Sequence, residues 1–237
     1  MALPKIGVPT YELTLPSTGK TVKYRPFLVK EEKILLLALE SDNEKEVITA
    51  VKNTLRACIL SRVKVDQLPS FDLEYLFLKI RAAAVGEVIE MTVTCNDDNT
   101  TQAKVSINIE EVQVNKQDEH DRKIMLTDDL GIMLNYPSMD RFIESQFLNK
   151  DLDPEHIFEF IAEHIDQIFN GEEVYDSSTT SKKEFREFIE SLTSKQFEAI
   201  QKFYETMPRL THTFSVTNPN TGNECNYTLE GLQSFFA

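Results

Sequence analysis

Apolar and polar residues alternate in three pairs of short runs along the chain. Each pair flanks a turn, and the runs cover residues 11–15 and 21–24, 87–94 and 103–109, and 211–217 and 224–229. Alternation with a period of two is typical of a half-buried strand, and two such runs around a turn are typical of a β-hairpin. The pattern therefore predicts an N-terminal, a central and a C-terminal hairpin.

Apolar side chains three or four residues apart predict helices between these hairpins. In the first half of the chain, helices are expected over residues 29–40, over a segment that ends near Ile59, and over residues 70–85. Ser41 and Glu44 have the spacing of a capping box, which satisfies backbone N–H groups at a helix start, so the second helix is expected to begin there.

The second half of the chain contains a long acidic segment with helical spacing, residues 138–207, in which one helix is expected from Asp153 to Phe169. Hairpins interleaved with helical blocks predict an α+β fold. The expected organisation is an α+β domain over residues 1–137, the acidic helical block over residues 138–207, and a C-terminal hairpin over residues 208–237. The apolar tail of this last segment is expected to pack back on the α+β part.

Charge and composition narrow the class of partner. The chain has 237 residues, of which 41% are hydrophobic, and carries a net charge of −14 with a pI of about 4.8. Nucleic-acid backbones and anionic membranes attract clustered Lys and Arg, so neither is expected as a partner. No apolar run approaches the roughly 20 residues of a membrane span, and no signal-peptide core is found. The three cysteines indicate a reduced, intracellular chain.

The sequence Gly19-Lys20-Thr21 matches the end of a phosphate-binding P-loop. That loop needs a second glycine five residues before Gly19, where this chain has Thr14, and it connects a buried strand to a helix. Strand-like runs lie on both sides of the turn here. The stretch is therefore predicted to be the tip of the N-terminal hairpin.

Two histidines in the acidic segment are candidate metal ligands. His156 and His164 lie in the same predicted helix with Glu159 between them, but their spacing of eight residues completes no His-Glu-x-x-His motif. A solvated acidic helix face is the favoured interpretation. A weak divalent-metal site at these residues stays open as the alternative.

Cys95 and Cys225 lie at or beside the tips of the central and C-terminal hairpins. Zinc ribbons place two cysteines on each of two such tips, so one cysteine at each cannot complete a tetrathiolate site, and His212 adds only one ligand. The adjacent Asp97 and Asp98 are typical turn residues and lack the spacing of a calcium loop. We therefore expect neither a bound metal nor a disulfide.

The motifs of nucleophilic catalysis and of cofactor binding are missing from the chain. It contains no Gly-x-Ser-x-Gly sequence and no complete cofactor loop, and Cys58 lies on an apolar helical stripe, where a small buried residue is expected. The sequence thus predicts a protein that is not an enzyme, without catalytic, cofactor-binding or metal-binding residues.

Several segments resemble one family, in the same order along the chain. They are Met1–Pro4, Pro9–Tyr11, Leu15–Lys20, Tyr24–Lys33, Leu134–Ser138 and Tyr227–Phe236. Together they are similar to the baseplate hub proteins of T4-like tailed bacteriophages, and the resemblance is strongest near the N-terminus.

The resemblance implies a late protein of a contractile phage tail that acts, without catalysis, in assembly of the central baseplate hub. Its implied partners are other baseplate hub or tail proteins, and its implied location is the host cell cytoplasm during assembly or the tail baseplate of the virion. A permanent structural subunit of the mature hub is the first alternative. A metal-dependent enzyme that uses His156, Glu159 and His164 is the second. Edge strands and an exposed Phe235/Phe236 tail are expected docking elements, unless that tail packs on its own core.

Overall fold

The computed structural model describes residues 6–41, 43–148 and 154–235. In chain order the elements are β1 (Tyr11–Thr14), β2 (Thr21–Tyr24), α1 (Val29–Glu40), α2 (Glu44–Cys58), α3 (Ser70–Val85), β3 (Val88–Thr94), β4 (Gln102–Asn108), β5 (Gln113–Asn115), β6 (Lys123–Met125), β7 (Leu130–Leu134), α4 (Met139–Leu148), α5 (Pro154–His164), β8 (Ile165–Asn170), β9 (Glu173–Asp176), α6 (Lys182–Glu190), α7 (Ser194–Glu205), β10 (Arg209–Thr217) and β11 (Glu224–Glu230). This mixture of helices and small antiparallel sheets is the predicted α+β fold. Within the described ranges, no helix has both the length and the apolar character needed to cross a bilayer.

The chain divides into two compact units. The first consists of Met1–Asn115 together with Arg209–Ala237, and the second of Lys116–Pro208. The second unit begins before residue 138 because β6 and β7 join the same sheet as β8 and β9. The three-part domain organisation suggested by the sequence stays a prediction.

The three predicted hairpins form, and they lie in the first unit. β1 pairs with β2, β3 with β4, and β10 with β11, each pair antiparallel. β10 also pairs with β5 along its other edge, so the C-terminal hairpin is part of a three-stranded sheet. Along β3, the residues turned away from solvent are Ile89, Met91 and Val93. Their spacing is the period of two from which this hairpin was predicted.

Helix α3 lies at the centre of the first unit. It is buried on most of its circumference because neighbouring elements enclose it. Leu78 and Ala82 of α3 form one buried cluster with side chains of those elements: Ile89, Ile107, Ile109, Val112, Leu210 and Phe235. Because Phe235 is only 1% exposed, it belongs to the core of its own unit and is not an exposed docking element. Phe236 lies outside the described residues.

A buried glutamate of α3 holds the C-terminal segment against this core. Glu74 Oε1 accepts a hydrogen bond from the backbone N–H of Leu232 at 3.1 Å. The preceding Gly231 has a φ of +72°, and a Cβ there would lie 3.3 Å from the same oxygen. Burial raises the pKa of Glu74 to about 7, because the charged form loses its hydration.

A second carboxylate of α3, that of Asp72, fixes the turn of the N-terminal hairpin. The backbone N–H of Ser17 donates to Asp72 Oδ1 at 3.1 Å, and the Ser17 hydroxyl donates to Oδ2. Lys20 is exposed. The Ser17 N–H is thus bound to a carboxylate, whereas a phosphate loop needs such donors for its phosphate. The stretch around Lys20 is a hairpin turn, as predicted.

The second unit packs helices against a four-stranded antiparallel sheet in the order β6-β7-β8-β9. Its core consists of buried side chains from the two central strands and from α5, α6 and α7: Ile132, Leu134, Ile161, Ala162, Ile165, Ile168, Phe185, Ile189, Ile200 and Phe203. Capping boxes at Ser181/Glu184 and Thr193/Gln196 begin α6 and α7 and satisfy their first backbone N–H groups.

The long helix predicted in this unit is wrong at its C-terminal end, from Ile165 onward. Its predicted start at Asp153 lies outside the described residues, it ends at His164, and residues 165–170 form β8 instead. A β-bulge interrupts the pairing of β8 with β7, and its extra residue lets Ile165 and Ile168 both be buried. A spacing of three is also that of a helical stripe, so the apolar pattern did not distinguish a bulged strand from a helix. The acidic block is therefore mixed in structure.

The predicted capping box at Ser41 and Glu44 is also wrong. Ser41 ends α1, and its hydroxyl donates to the carbonyl of Ala38 at 2.7 Å. Asn43 caps α2, since its side-chain oxygen accepts from the backbone N–H of Lys45 at 3.1 Å. The connection between the two helices is short, and Ser41 is the C-cap of α1, so Asn43 is the N-cap of α2 instead.

The raised pKa of Glu74 predicts a defined pH dependence of stability. The pKa rises from an ordinary 4.5 to about 7 on folding, so the native state binds more protons than the unfolded state between these values. Stability therefore falls as pH rises from 4.5 through 7, by on the order of 3 kcal/mol. Glu74→Gln keeps an oxygen for the Leu232 N–H and removes this dependence, so the variant is the more stable protein at pH 8.

Chemical denaturation followed by circular dichroism over a series of pH values measures this effect. Glu90→Gln, at an exposed position of β3, is the matched control and should keep the pH dependence of the wild type. Equal slopes for the wild type and Glu74→Gln between pH 4.5 and 7 would contradict the prediction.

Candidate functional site at two hairpin tips

The tips of the central and C-terminal hairpins contact each other within the first unit. We refer to residues 95–101 as the central tip and to residues 218–223 as the C-terminal tip. Beside the tips, the Tyr227 hydroxyl donates to the carbonyl of Thr94 at 2.8 Å and accepts from the backbone N–H of Asn96 at 3.1 Å. Polar side chains and two thiols from opposite hairpins meet in this region.

The same type of backbone turn forms in these two tips and in the tip of the N-terminal hairpin, residues 15–20. In each tip the carbonyl of the first residue accepts, at 2.9 Å, the N–H of the residue four positions later: Leu15 from Gly19, Cys95 from Asn99, and Asn218 from Gly222. These donors have φ values of +68°, +56° and +77°, a region open to glycine and, among other residues, mainly to asparagine. The first residue of each tip is buried, so this turn directs its first side chain inward.

The inward side chain of the C-terminal tip is the amide of Asn218, which is fully buried. Its Nδ2 donates to Asp97 Oδ1 at 2.7 Å and to Asp98 Oδ2 at 3.1 Å. Its Oδ1 accepts the backbone N–H of Asn220 at 2.8 Å within its own tip. One buried amide thus shapes its own turn and binds two carboxylates of the opposite hairpin.

The two carboxylates of the central tip are held in the ionised form. The hydroxyl of Thr221 at 2.5 Å and the amide of Asn218 lower the pKa of Asp97 to about 2. The hydroxyl and backbone N–H of Thr101 hold the pKa of Asp98 well below its usual range. Because both pKa values are depressed in the folded protein, the contribution of these groups to stability is present above pH 4 or so and is lost as pH falls.

Two cysteine thiols lie beside Asp97. Cys95 and Cys225 are both buried, and the Cys225 thiol donates to Asp97 Oδ1 at 3.4 Å. The two sulfur atoms and one carboxylate oxygen lie within 4.8 Å of one another. Burial raises the pKa of the Cys95 thiol, which is therefore protonated at neutral pH. His212, the further ligand suggested by the sequence, is not part of this group.

The histidines of the acidic block do not converge in the same way. His164 is buried, and its Nδ1 lies 2.6 Å from the carbonyl oxygen of Phe160, within its own helix. His156 and Glu159 are exposed. Among the described residues, His156, Glu159 and His164 do not form a group whose ligand atoms reach one metal ion.

Sequence reasoning identified the two cysteines but assigned Asp97 only to a turn and gave Asn218 no role. A signal for Asn218 was available, because residues 15–19 and 218–222 share the pattern x-Pro-x-Thr-Gly. That pattern marks the shared turn, whose first side chain points inward. The contact itself could not be read from the pattern, since Asn218 and Asp97 are 121 residues apart in the chain.

The polar cluster at the tips holds two hairpins of the first unit together. Comparison with known proteins gives the class to which the chain belongs. The family model described as "T4 bacteriophage base plate protein" matches residues 8–237. The chain therefore belongs to this family of T4-like baseplate proteins. No curated protein and no solved structure matches it.

Removal of the Asn218 amide is predicted to destabilise the first unit. Asn218→Ala removes one donor from each of two carboxylates and the side-chain acceptor of the Asn220 N–H. It should lower the free energy of unfolding by about 1–3 kcal/mol. Asn218→Asp should destabilise more, because it keeps the acceptor for its own turn but places a third negative charge beside Asp97 and Asp98.

Thermal unfolding monitored by circular dichroism measures both losses. Asn226→Ala is the matched control, because the Asn226 side chain is exposed on β11 and only its backbone carbonyl contacts the central hairpin. The assigned role of Asn218 does not hold if both variants unfold at the temperature of Asn226→Ala.

Proposed function

We propose that this baseplate protein acts, without catalysing a reaction, in assembly of the central baseplate hub through contacts with other phage tail proteins. The observation that carries the proposal is the family match over residues 8–237. The resemblance of the N-terminal segments to hub proteins supports the narrower role in the hub. Action in the host cell cytoplasm during assembly is part of the same proposal.

Helix α1 offers a surface for such contacts. Within it only Glu31 and Leu35 are buried. The large apolar side chains that it exposes are Val29 at 79%, Ile34 at 49%, Leu36 at 55% and Leu37 at 56%. Full burial of a Leu or Ile contributes about 1.5–3 kcal/mol, so covering a side chain that is half exposed contributes about half of that. Contiguous exposed apolar side chains mark interaction sites.

The helix is held in place independently of its exposed side chains. Glu31 Oε2 accepts from the backbone N–H of Leu28 at 2.8 Å, and its Oε1 accepts from the Arg25 guanidinium at 3.1 Å. These bonds fix the first turn of α1 to the segment that connects it to β2. The apolar side chains are therefore presented on a positioned helix, which lowers the entropic cost of binding a partner.

The negative charge of the chain favours a partner that carries positive charge around this apolar contact. The net charge of the chain is −14, so a partner with basic residues at the rim of its binding site would be attracted over a longer range. Such attraction affects mainly the association rate and weakens with salt, whereas the apolar contact sets the lifetime of the complex.

A pair of matched variants tests the role of α1. Leu37→Glu places a charge on the α1 surface, and Val174→Glu places the same charge at a position with the same 56% exposure on β9. Leu37→Glu should reduce the amount of other tail proteins that co-purify from infected cells at least tenfold, about 1.4 kcal/mol of binding free energy. Val174→Glu should recover them at the wild-type level.

Circular dichroism of both purified variants checks that each is folded. Equal recovery of tail proteins by the two folded variants would exclude α1 as the contact surface. Recovery of no tail protein by the wild type would count against the hub role itself.

A permanent structural subunit of the hub is the first alternative to an assembly factor. Mass spectrometry of purified virions separates the two, because an assembly factor is left out of the finished particle. The metal-dependent enzyme at His156, Glu159 and His164 is the second alternative. Loss of a phage-linked activity in His156→Ala, in a folded protein, is the result that would favour it.

A further inference from the structure

We propose that the central and C-terminal tips bind one thiophilic divalent cation, with Zn²⁺ as the preferred ion, through Cys95, Asp97 and Cys225. This site goes beyond the proposed function and does not depend on it. Cys95 and Asp97 come from the central tip and Cys225 from β11, so the cation would join two hairpins that the hydrogen bonds of Asn218 already connect.

The three ligand atoms have already converged. Both sulfur atoms and one carboxylate oxygen lie within 4.8 Å of one another. With Zn–S near 2.3 Å and Zn–O near 2.1 Å, the ligand atoms of one tetrahedral zinc ion are roughly 3.5–4 Å apart. Closure by roughly 1 Å, within the reach of side-chain rotation, therefore completes the three contacts.

The cation replaces the two thiol protons and leaves the hydrogen bonds to Asp97 Oδ2 in place. The Cys225 thiol donates to Asp97 Oδ1 at 3.4 Å, the longest hydrogen bond of that carboxylate. On binding, both thiols become thiolates, their two protons leave to solvent, and the cation lies between the sulfur atoms and Oδ1. Thr221 and Asn223 continue to donate to Oδ2, at 2.5 and 3.1 Å, and orient the carboxylate as outer-shell donors do.

The ligand set selects the class of ion. Two thiolates with one carboxylate suit Zn²⁺ or the softer Cd²⁺, whereas Mg²⁺ and Ca²⁺ require sets of oxygen ligands. The sulfur atoms are buried but Asp97 is exposed, which gives an ion an entry path and leaves a fourth position to water. The carboxylate of Asp98, held by the same Asn218 amide, adds negative charge beside the site.

Zinc titration of the reduced, tag-free, full-length protein tests the proposal. The metal-stripped protein is titrated with Zn²⁺ against a chromophoric competitor, and with Cd²⁺ while thiolate-to-metal absorption is recorded. One ion per chain should bind to the wild type and to Cys58→Ser, which removes a buried thiol of α2. Cys95→Ser and Cys225→Ser should each bind Zn²⁺ at least about 100-fold more weakly than the wild type. Loss of an outer-shell group alone weakens metal binding by only about 10–100-fold.

A measurement on the unmutated protein covers the case in which a serine variant does not fold. Zn²⁺ should protect Cys95 and Cys225, and not Cys58, from alkylation in partly denaturing conditions, as read by mass spectrometry. Zn²⁺ should also raise the unfolding temperature of the wild type. Binding below one ion in ten chains, equal affinity in Cys58→Ser and Cys225→Ser, or a Cys95–Cys225 disulfide whose reduced form takes up no zinc would each overturn the proposal.

Discussion

The fully buried amide of Asn218 connects the two longest hairpins of the first unit, because it donates to carboxylates on the opposite tip. An amide in this position has to find partners, since a buried donor without one costs more than the bond it makes is worth. Asp97 and Asp98 stay ionised for the same reason: each accepts several donors that replace the water lost at the contact. The relative position of β3–β4 and β10–β11 therefore depends on polar chemistry at the tips, in addition to apolar packing nearer to α3.

Polar side chains of α3 also connect segments of the first unit. Its buried polar side chains each hold a different part of the chain: Asp72 the N-terminal tip, Glu74 the C-terminal segment, and Lys79 the carbonyl of Ile109 at 3.3 Å. A helix enclosed by apolar neighbours can carry such groups only where each has a partner. The first unit thus combines an apolar core with polar contacts that fix which segment lies where.

The contact surface that we propose consists of side chains that this arrangement leaves exposed. The polar groups of the tips bind each other. Phe235 is part of the core, so it is not available as the docking element that the sequence suggested. Helix α1 differs, because its apolar side chains face solvent while Glu31 anchors its first turn. The contact with other tail proteins that we propose therefore uses an apolar surface on a positioned element.

The sequence by itself determined the local elements of the first unit: the three hairpins, α3 with its end before Gly86, and the turn around Lys20, because period, turn residues and caps act over a few neighbours. It also carried the family resemblance, which the family match confirmed at the level of baseplate proteins. Only the tertiary structure decided that residues 165–170 form a strand. Ile165 and Ile168 have a helix-like spacing of three, and a bulge in the pairing with β7 lets both be buried in a strand. It also decided the site at the tips, since Asp97 and Asn218 are ordinary turn residues until folding removes water from between them and makes their hydrogen bonds obligatory.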